Sequence, residues 1–206
     1  MGEFIAVTAV RSTDAAFVAD TIVRHARDNG VEAEPTDAHG DDLVAVHPPE
    51  NGWTVVAWPM PVVAASLGGW LSRELGAQVS AIDVYDGDYW QHVAFYKGEV
   101  RDRFSSVPDH FATDAATAER LRREWAGDVS VLVDFFDRPK SAIAPYLVRA
   151  AEVSGPAFPG DEFDLDDVWV FVDFWRKLGI TYPDPGAPLR HLRLDAEALP
   201  QDDPAR

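Results

Sequence analysis

Side chains capable of chemistry are most concentrated at the tip of one β-hairpin that the sequence predicts. Residues 79–85 (VSAIDVY) and 89–97 (YWQHVAFYK) are rich in β-branched and aromatic residues, and the turn-forming residues 86–88 (DGD) separate them. This pattern is typical of two paired strands. Carboxylate, phenol, indole and imidazole groups occur together at the tip, and they form the candidate binding site: Asp83, Tyr85, Asp86, Asp88, Trp90 and His92.

If the hairpin is centred on Gly87, we expect these side chains to converge in one patch. Asp83 and Tyr85 share one face of the first strand, and Trp90 and His92 share one face of the second. Acidic, imidazole and aromatic groups in one patch could bind a cation, hold a divalent metal or support general acid–base chemistry. The alternative is a solvated hairpin tip whose aspartates and glycine serve the turn, with Trp90 packed against a helix.

Two further groups of residues have side-chain types that bind metal ions. They are the loop residues Asp37, His39, Asp41 and Asp42 with Asp109 and His110, and the acidic stretch 161–167. Ordinary polar loops account for the first group. The second precedes a predicted helix, whose dipole favours carboxylates at its N-terminus. We therefore expect no metal site and no cofactor.

The motifs of several common enzyme classes do not occur in the sequence. It contains no G-x-x-x-x-G-K-[ST] phosphate loop, no G-x-G-x-x-G dinucleotide motif, no G-x-S-x-G nucleophile elbow and no H-E-x-x-H zinc motif. The chain also has no cysteine, which excludes thiol catalysis and disulfide bonds. These observations favour a protein without enzymatic activity.

The elements that position the hairpin follow from the patterning of residues 1–108. We expect strands at 3–10, 43–47, 53–58, 79–85, 89–97 and 99–104, and helices at about 15–28 and 62–75. This order, β-α-β-β-α-β-β-β, predicts an α+β fold in which helices cover a mostly antiparallel sheet.

Residues 109–182 have the composition of a mainly helical region. The expected helices lie at about 113–125, 128–136, from 141 onward and at 165–178. We expect this region to pack on the sheet domain of residues 1–108, either within the same domain or as a second one. Residues 183–206 begin with PDPGAP and end with QDDPAR, and we expect a loop and a frayed tail there.

The 206-residue chain is strongly acidic, with a formal charge of −17 from 35 acidic and 18 basic side chains. Such a surface repels nucleic-acid phosphates and anionic lipids, so we expect no nucleic-acid and no membrane partner. The charge favours a basic protein partner, although a GC-rich or salt-adapted genome would produce the same acidity. The sequence shows no signal peptide and no apolar run long enough to span a bilayer, which favours the cytoplasm.

Seven tryptophans are a high number for a chain of this length. Most of them lie on predicted core faces. Aromatic side chains bury a large area, and Trp and Tyr also keep a polar group for a ligand or partner. The candidates for a groove between the sheet and the C-terminal helices are Trp58, Trp90 and Tyr96.

Three functions are compatible with the sequence. The first, which we favour, is a non-enzymatic protein-interaction module, such as an inhibitor or immunity factor that masks a basic surface. The second is a small enzyme or ligand-binding protein that uses the carboxylate, imidazole and phenol groups of the 83–92 hairpin. The third is a structural or regulatory subunit that forms homo-oligomers.

Overall fold

The computed structural model describes residues 2–200, which form an eight-stranded antiparallel sheet with helices on both faces. The strands are β1 (Ile5–Val10), β2 (Ala33–Thr36), β3 (Val44–Val46), β4 (Thr54–Ala57), β5 (Gln78–Tyr85), β6 (Tyr89–Tyr96), β7 (Glu99–Ser105) and β8 (Arg190–Leu194). The helices are α1 (Ala15–Asp28), α2 (Ala64–Leu75), α3 (Ala115–Glu124), α4 (Val129–Phe136), α5 (Lys140–Ile143) and α6 (Val170–Leu178). The predicted α+β fold with a mostly antiparallel sheet is confirmed.

The strands lie in the order β2-β8-β3-β4-β1-β5-β6-β7 across the sheet. Helices α1 and α2 cover one side, which we call the first face, and α4, α5 and α6 cover the second face. Along β1, Ala6 and Val10 belong to the core of the first face, while Val7 and Ala9 belong to the core of the second. Burial on both faces explains why β1 is apolar at consecutive positions.

Helix α2 lies very close to the sheet because it carries a glycine where it crosses β6. A Cβ atom built on Gly68 would lie 2.5 Å from a ring carbon of Phe95, so any larger residue would push the helix away from the strand. On its other side, α2 packs against α1 through Trp70 and His25, whose rings stack with centroids 3.9 Å apart. These contacts position the N-terminus of α2 relative to β5 and β6.

Two strands occur where the sequence pattern predicted irregular structure. β2 lies in the expected loop at 34–42, and β8 lies in the expected loop and tail at 183–206. β8 is an interior strand of the sheet, with Leu192 opposite Val44 of β3 and Pro35 of β2. β2 was missed because it is a short edge strand that contains a proline. The terminal QDDPAR segment lies outside the described residues.

The helices of residues 109–182 are shorter than the sequence pattern predicted. α6 begins at Val170, not at residue 165, because the preceding loop is held in place by a buried carboxylate. Asp173 accepts hydrogen bonds from the backbone N–H groups of Glu162 (2.8 Å) and Phe163 (2.9 Å). The expected helix from 141 ends at Ile143 and continues as a 3₁₀ turn. In the described part of the chain, no helix has both the length and the apolar character that crossing a membrane requires.

Gly68→Ala is expected to destabilise the protein because the added methyl group meets the Phe95 ring across the α2–β6 contact. Overpacking of this kind costs about 1–3 kcal/mol of unfolding free energy, measurable by urea denaturation. Gly160→Ala is the matched control, since a Cβ at Gly160 meets no atom within 4 Å. Equal stability of the two variants would contradict the close approach of α2 to the sheet.

Candidate binding site

Exposed apolar side chains gather at one end of the β5–β6 hairpin. Of the eight large hydrophobic residues that are exposed in the described part of the chain, five lie in this area. We call them the hairpin-end patch: Phe4, Met60, Val63, Tyr85 and Phe111. Tyr85 is 41% exposed and Phe111 is 62% exposed, so the patch offers aromatic surface to solvent or to a partner.

Tyr85 is the centre of the patch. Its ring lies edge-on to the ring of Phe4, with centroids 5.3 Å apart, and edge-on to that of Phe111 at 5.4 Å. It also stacks on Tyr89 at 5.6 Å. The ring of His110 lies 5.0 Å from that of Tyr89. Edge-to-face and offset arrangements are the favoured geometries of aromatic pairs, so the exposed rings support one another.

A small cavity opens beneath these rings on the first face of the sheet. Its volume is about 160 Å³, and Phe4, Met60, Val63 and Tyr85 form part of its wall. The polar groups that line it come from the paired strands β5 and β6: Asp83, Tyr89 and Gln91. Asp83 lies directly opposite Gln91, and Tyr85 lies opposite Tyr89, so all four of these strand residues face the same side.

Asp83 caps the N-terminus of α2 from the neighbouring strand. Its carboxylate accepts hydrogen bonds from the backbone N–H groups of Ala64 (2.6 Å) and Ala65 (3.0 Å). The cap residue of α2, Val63, has no side-chain acceptor, and the first turn carries no acidic residue. A helix leaves its first N–H groups without intrahelical partners, and Asp83 supplies two of the missing acceptors.

Burial raises the pKa of Asp83 to about 7, although the two hydrogen bonds from Ala65 and Ala64 act in the opposite direction. Desolvation penalises the charged form of a carboxyl group, and here it outweighs hydrogen bonding to that form. The pKa of Tyr89 is raised to about 12, first by burial and then by Tyr85, Asp83 and Asp88. The Asp83 carboxyl therefore titrates near neutral pH, while the Tyr89 hydroxyl keeps its proton there.

The two aspartates of the hairpin turn lie at the rim of the patch and are both exposed. Asp88 has its Oδ2 atom 3.7 Å from Nε2 of His110. Asp86 adopts a left-handed conformation with φ of 52°. The adjacent Gly87 donates its N–H to the carbonyl of Glu3 (2.8 Å), which joins the N-terminal segment to the turn and brings Phe4 to Tyr85.

The predicted convergence of Asp83 and Tyr85 with Trp90 and His92 is wrong. In this register Ile82 pairs with His92 and Val84 with Trp90, so Trp90 and His92 point to the second face. Side chains alternate along each strand, and an offset of one residue moves a side chain to the other side of the sheet. Trp90 packs there against Phe104 and Phe174.

His92 belongs to a buried hydrogen-bonded group in the second core. Its Nε2 atom lies 2.9 Å from Oγ of Ser80, and the same Oγ accepts a hydrogen bond from Nε1 of Trp175 at 2.9 Å. The three side chains are therefore linked by hydrogen bonds through the Ser80 oxygen. Burial lowers the pKa of His92 to about 3, which keeps the ring neutral. This serine–histidine pair is enclosed by the core and has no access to a substrate.

The predicted groove between the sheet and the C-terminal helices is not formed by Trp58, Trp90 and Tyr96. Trp58 is buried in the first core, where its Nε1 donates to Oγ1 of Thr8 (3.1 Å). Trp90 is buried in the second core. Tyr96 lies at the end of β6 away from the hairpin turn, with Nζ of Lys97 5.2 Å from its ring. The three residues occupy separate places.

The other polar groups of the sequence do not meet in a metal site. His39 lies against His191, with ring centroids 4.9 Å apart, whereas His110 lies in the aromatic cluster near Tyr85. Asp161, from the acidic stretch, accepts a hydrogen bond from the Tyr146 hydroxyl (2.6 Å) and so holds its loop. Among residues 2–200, no group of three or more histidine, aspartate or glutamate side chains has metal-binding geometry.

Several patch residues were missed because their elements gave no reason to select them. Phe4 precedes β1, Met60 and Val63 precede α2, and Phe111 lies in a turn between β7 and α3. Phe4 lies within the predicted strand 3–10 and Val63 within the predicted helix 62–75, so no sequence signal marked them as exposed. Met60 and Phe111 are large apolar residues outside the predicted elements, which was the available signal. Comparison of the chain with protein-family models, with curated proteins and with solved structures finds no match.

Asp83→Asn is expected to gain stability relative to the wild-type protein as the pH rises from 5 to 8. The folded-state pKa of Asp83, about 7, is above the ordinary value of 3.8. The folded protein therefore binds more protons than the unfolded chain in this interval, and its unfolding free energy falls as the pH rises. The difference between variant and wild type should grow by about 1 kcal/mol per pH unit and level off above pH 7.

The measurement is urea denaturation at several pH values. Asp86→Asn, which removes an exposed carboxylate from the same hairpin, is the control for the change in net charge. The other titratable groups near Asp83 are Tyr85, Tyr89, Asp88 and His110, and all are retained in both variants. Parallel stability curves for Asp83→Asn and wild type would show that Asp83 is not held in a desolvated position.

Proposed function

We propose that this chain is a protein-interaction module that binds a partner segment carrying apolar and basic side chains at the hairpin-end patch. The observation that carries the proposal is the gathering of five exposed large hydrophobic residues, four of which line one cavity while Phe111 packs against Tyr85. Scattered single apolar residues on a surface need no explanation, but a contiguous patch with a polar rim is typical of an interaction site. Aromatic anchors at the centre of such sites contribute much of the binding energy.

The charge of the protein supports a basic partner. Asp86 and Asp88 lie exposed at the rim of the patch, and the chain as a whole has a formal charge of −17. Complementary charges at a rim increase the association rate and select among partners more than they increase affinity. The apolar patch then supplies the short-range contacts, and the acidic rim restricts the choice to segments with lysine or arginine.

The placement of Asp83 and His92 favours this function over the enzymatic alternative. That alternative needs the carboxylate and the imidazole in one patch, whereas Asp83 faces α2 and His92 is enclosed in the second core. An interaction module does not need these two groups in one patch, because exposed aromatic residues contribute to binding through their contact area.

Selection from a random 12-residue peptide phage library on the immobilised full-length chain tests the proposal. We expect the enriched peptides to combine large apolar residues with lysine or arginine. Binding of their synthetic copies should weaken between 50 and 300 mM salt, because rim charges are screened at higher ionic strength. The double variant Tyr85→Ser with Phe111→Ser should weaken binding at least about tenfold, as expected when central aromatic anchors are removed.

Phe17→Ser is the matched control, since Phe17 is 48% exposed on α1 and does not line the cavity. It should leave peptide binding unchanged. The proposal would be overturned by enriched peptides without basic residues, by peptides that bind the double variant equally well, or by no enrichment at all. A dimer in light scattering that the double variant dissociates would also overturn it, because the patch would then serve self-association.

A further inference from the structure

We propose that the cavity beneath Tyr85 receives one cationic side chain of the partner, an alkyl chain ending in an ammonium or guanidinium group. The inference rests on the proposed function and states which chemical group of the partner enters the protein. The evidence comes from the size of the cavity, its carboxyl group and its aromatic wall. The size of the cavity and the Asp83 carboxyl are separate observations from the exposed patch, whereas Phe4 and Tyr85 belong to both the patch and the wall.

The size of the cavity favours a single side chain over a cofactor or metabolite. Its volume of about 160 Å³ corresponds to about five water molecules in the liquid. Pockets for typical small-molecule ligands are about 300–1,000 Å³, which is well above this value. The cavity opens between Phe4, Met60 and Tyr85, at the centre of the patch where an anchoring side chain of a docked segment would enter.

Asp83 is the carboxyl group that lines the cavity, and the described residues give it no cationic partner. Within residues 2–200, no lysine, arginine or histidine forms an ion pair with Asp83, whose hydrogen bonds come from the amides of Ala64 and Ala65. Asp88 lies near Tyr89 as a second carboxylate. Because Asp83 already occupies the amides at the N-terminus of α2, these groups are not free to bind an anion. A cationic group suits the cavity better than an anionic one, because it would favour the ionised form of Asp83.

The wall of the cavity is suited to an organic cation with an aliphatic stem. Phe4, Tyr85 and Tyr89 all line it, and the ring of Tyr85 contacts the rings of the other two. Aromatic faces attract ammonium and guanidinium groups, and this attraction is strongest where water is excluded. The apolar wall can also pack against the methylene groups of a lysine or arginine side chain. A metal ion would use neither of these features.

Titration of the isotope-labelled full-length chain with three blocked amino acids tests the inference. The probes are the N-acetyl methylamides of lysine, arginine and norleucine, which differ at the end of the side chain. We expect the lysine or arginine probe to shift the amide signals of Ala64, Tyr85 and Tyr89, and to bind about fivefold or more tightly than norleucine, as expected for a cation over aromatic rings. Comparison of the lysine and arginine probes identifies the preferred cation.

Asp83→Asn should remove the preference for the cationic probes while leaving norleucine binding unchanged, with thermal melting to confirm that the variant is folded. Tyr85→Leu leaves the Asp83 cap intact and should weaken cation binding about threefold, whereas Tyr85→Phe should retain it. Tyr96→Leu is the control, because Tyr96 is similarly exposed, at 37%, and lies at the other end of β6. Norleucine binding as tightly as lysine, or cation binding unaffected by Asp83→Asn, would overturn the inference.

The outcome is separable from that of the peptide selection. Cationic probes that enter the cavity when no peptide is enriched would support the cavity inference and contradict the proposed function. Peptides that depend on Tyr85 and Phe111 but bind Asp83→Asn as well as wild type would support the proposed function and contradict the cavity inference.

Discussion

The carboxylate of Asp83 accepts hydrogen bonds from the first two amides of α2, and the arrangement of the hairpin-end patch depends on this contact. It connects β5 to the start of α2 and thereby places Val63 beside Tyr85 at the cavity. The same contact puts a carboxyl group in a desolvated position, which raises its pKa to about 7. One interaction thus stabilises the helix terminus and places a carboxyl group at the cavity.

Helices cover both faces of the sheet. The polar side chains of β5 and β6 therefore lie in two different environments. On the second face, hydrogen bonds join Ser80 to His92 and to Trp175 inside the core, and the histidine stays neutral there. On the first face, Asp83 remains next to a cavity that opens to solvent. Of the two candidate acid–base residues of the hairpin, His92 is therefore buried in the second core, and Asp83 lines a cavity on the first face.

The sequence predicted the β5–β6–β7 meander well, because period-two patterning and the Asp86–Asp88 turn are local signals. It did not predict that β8 pairs with β2 and β3, because those contacts join residues more than 140 positions apart in the chain and leave no local trace. The candidate site was predicted in part. Tyr85, Asp86 and Asp88 lie in or at the patch, but the face to which His92 points depends on a one-residue offset between strands. Phe111 belongs to the patch only through tertiary contact with Tyr85.

The central claim is that a basic and apolar segment docks on the patch with its cationic side chain beneath Tyr85. The most direct measurement is isotope-filtered NMR on the full-length chain in complex with a peptide from the selection. We expect nuclear Overhauser effects between the side-chain methylene protons of one lysine or arginine and the rings of Tyr85 and Tyr89, and between an apolar peptide residue and Phe111. Peptide contacts confined to another surface, such as the β2–β8 end of the sheet, would contradict the account.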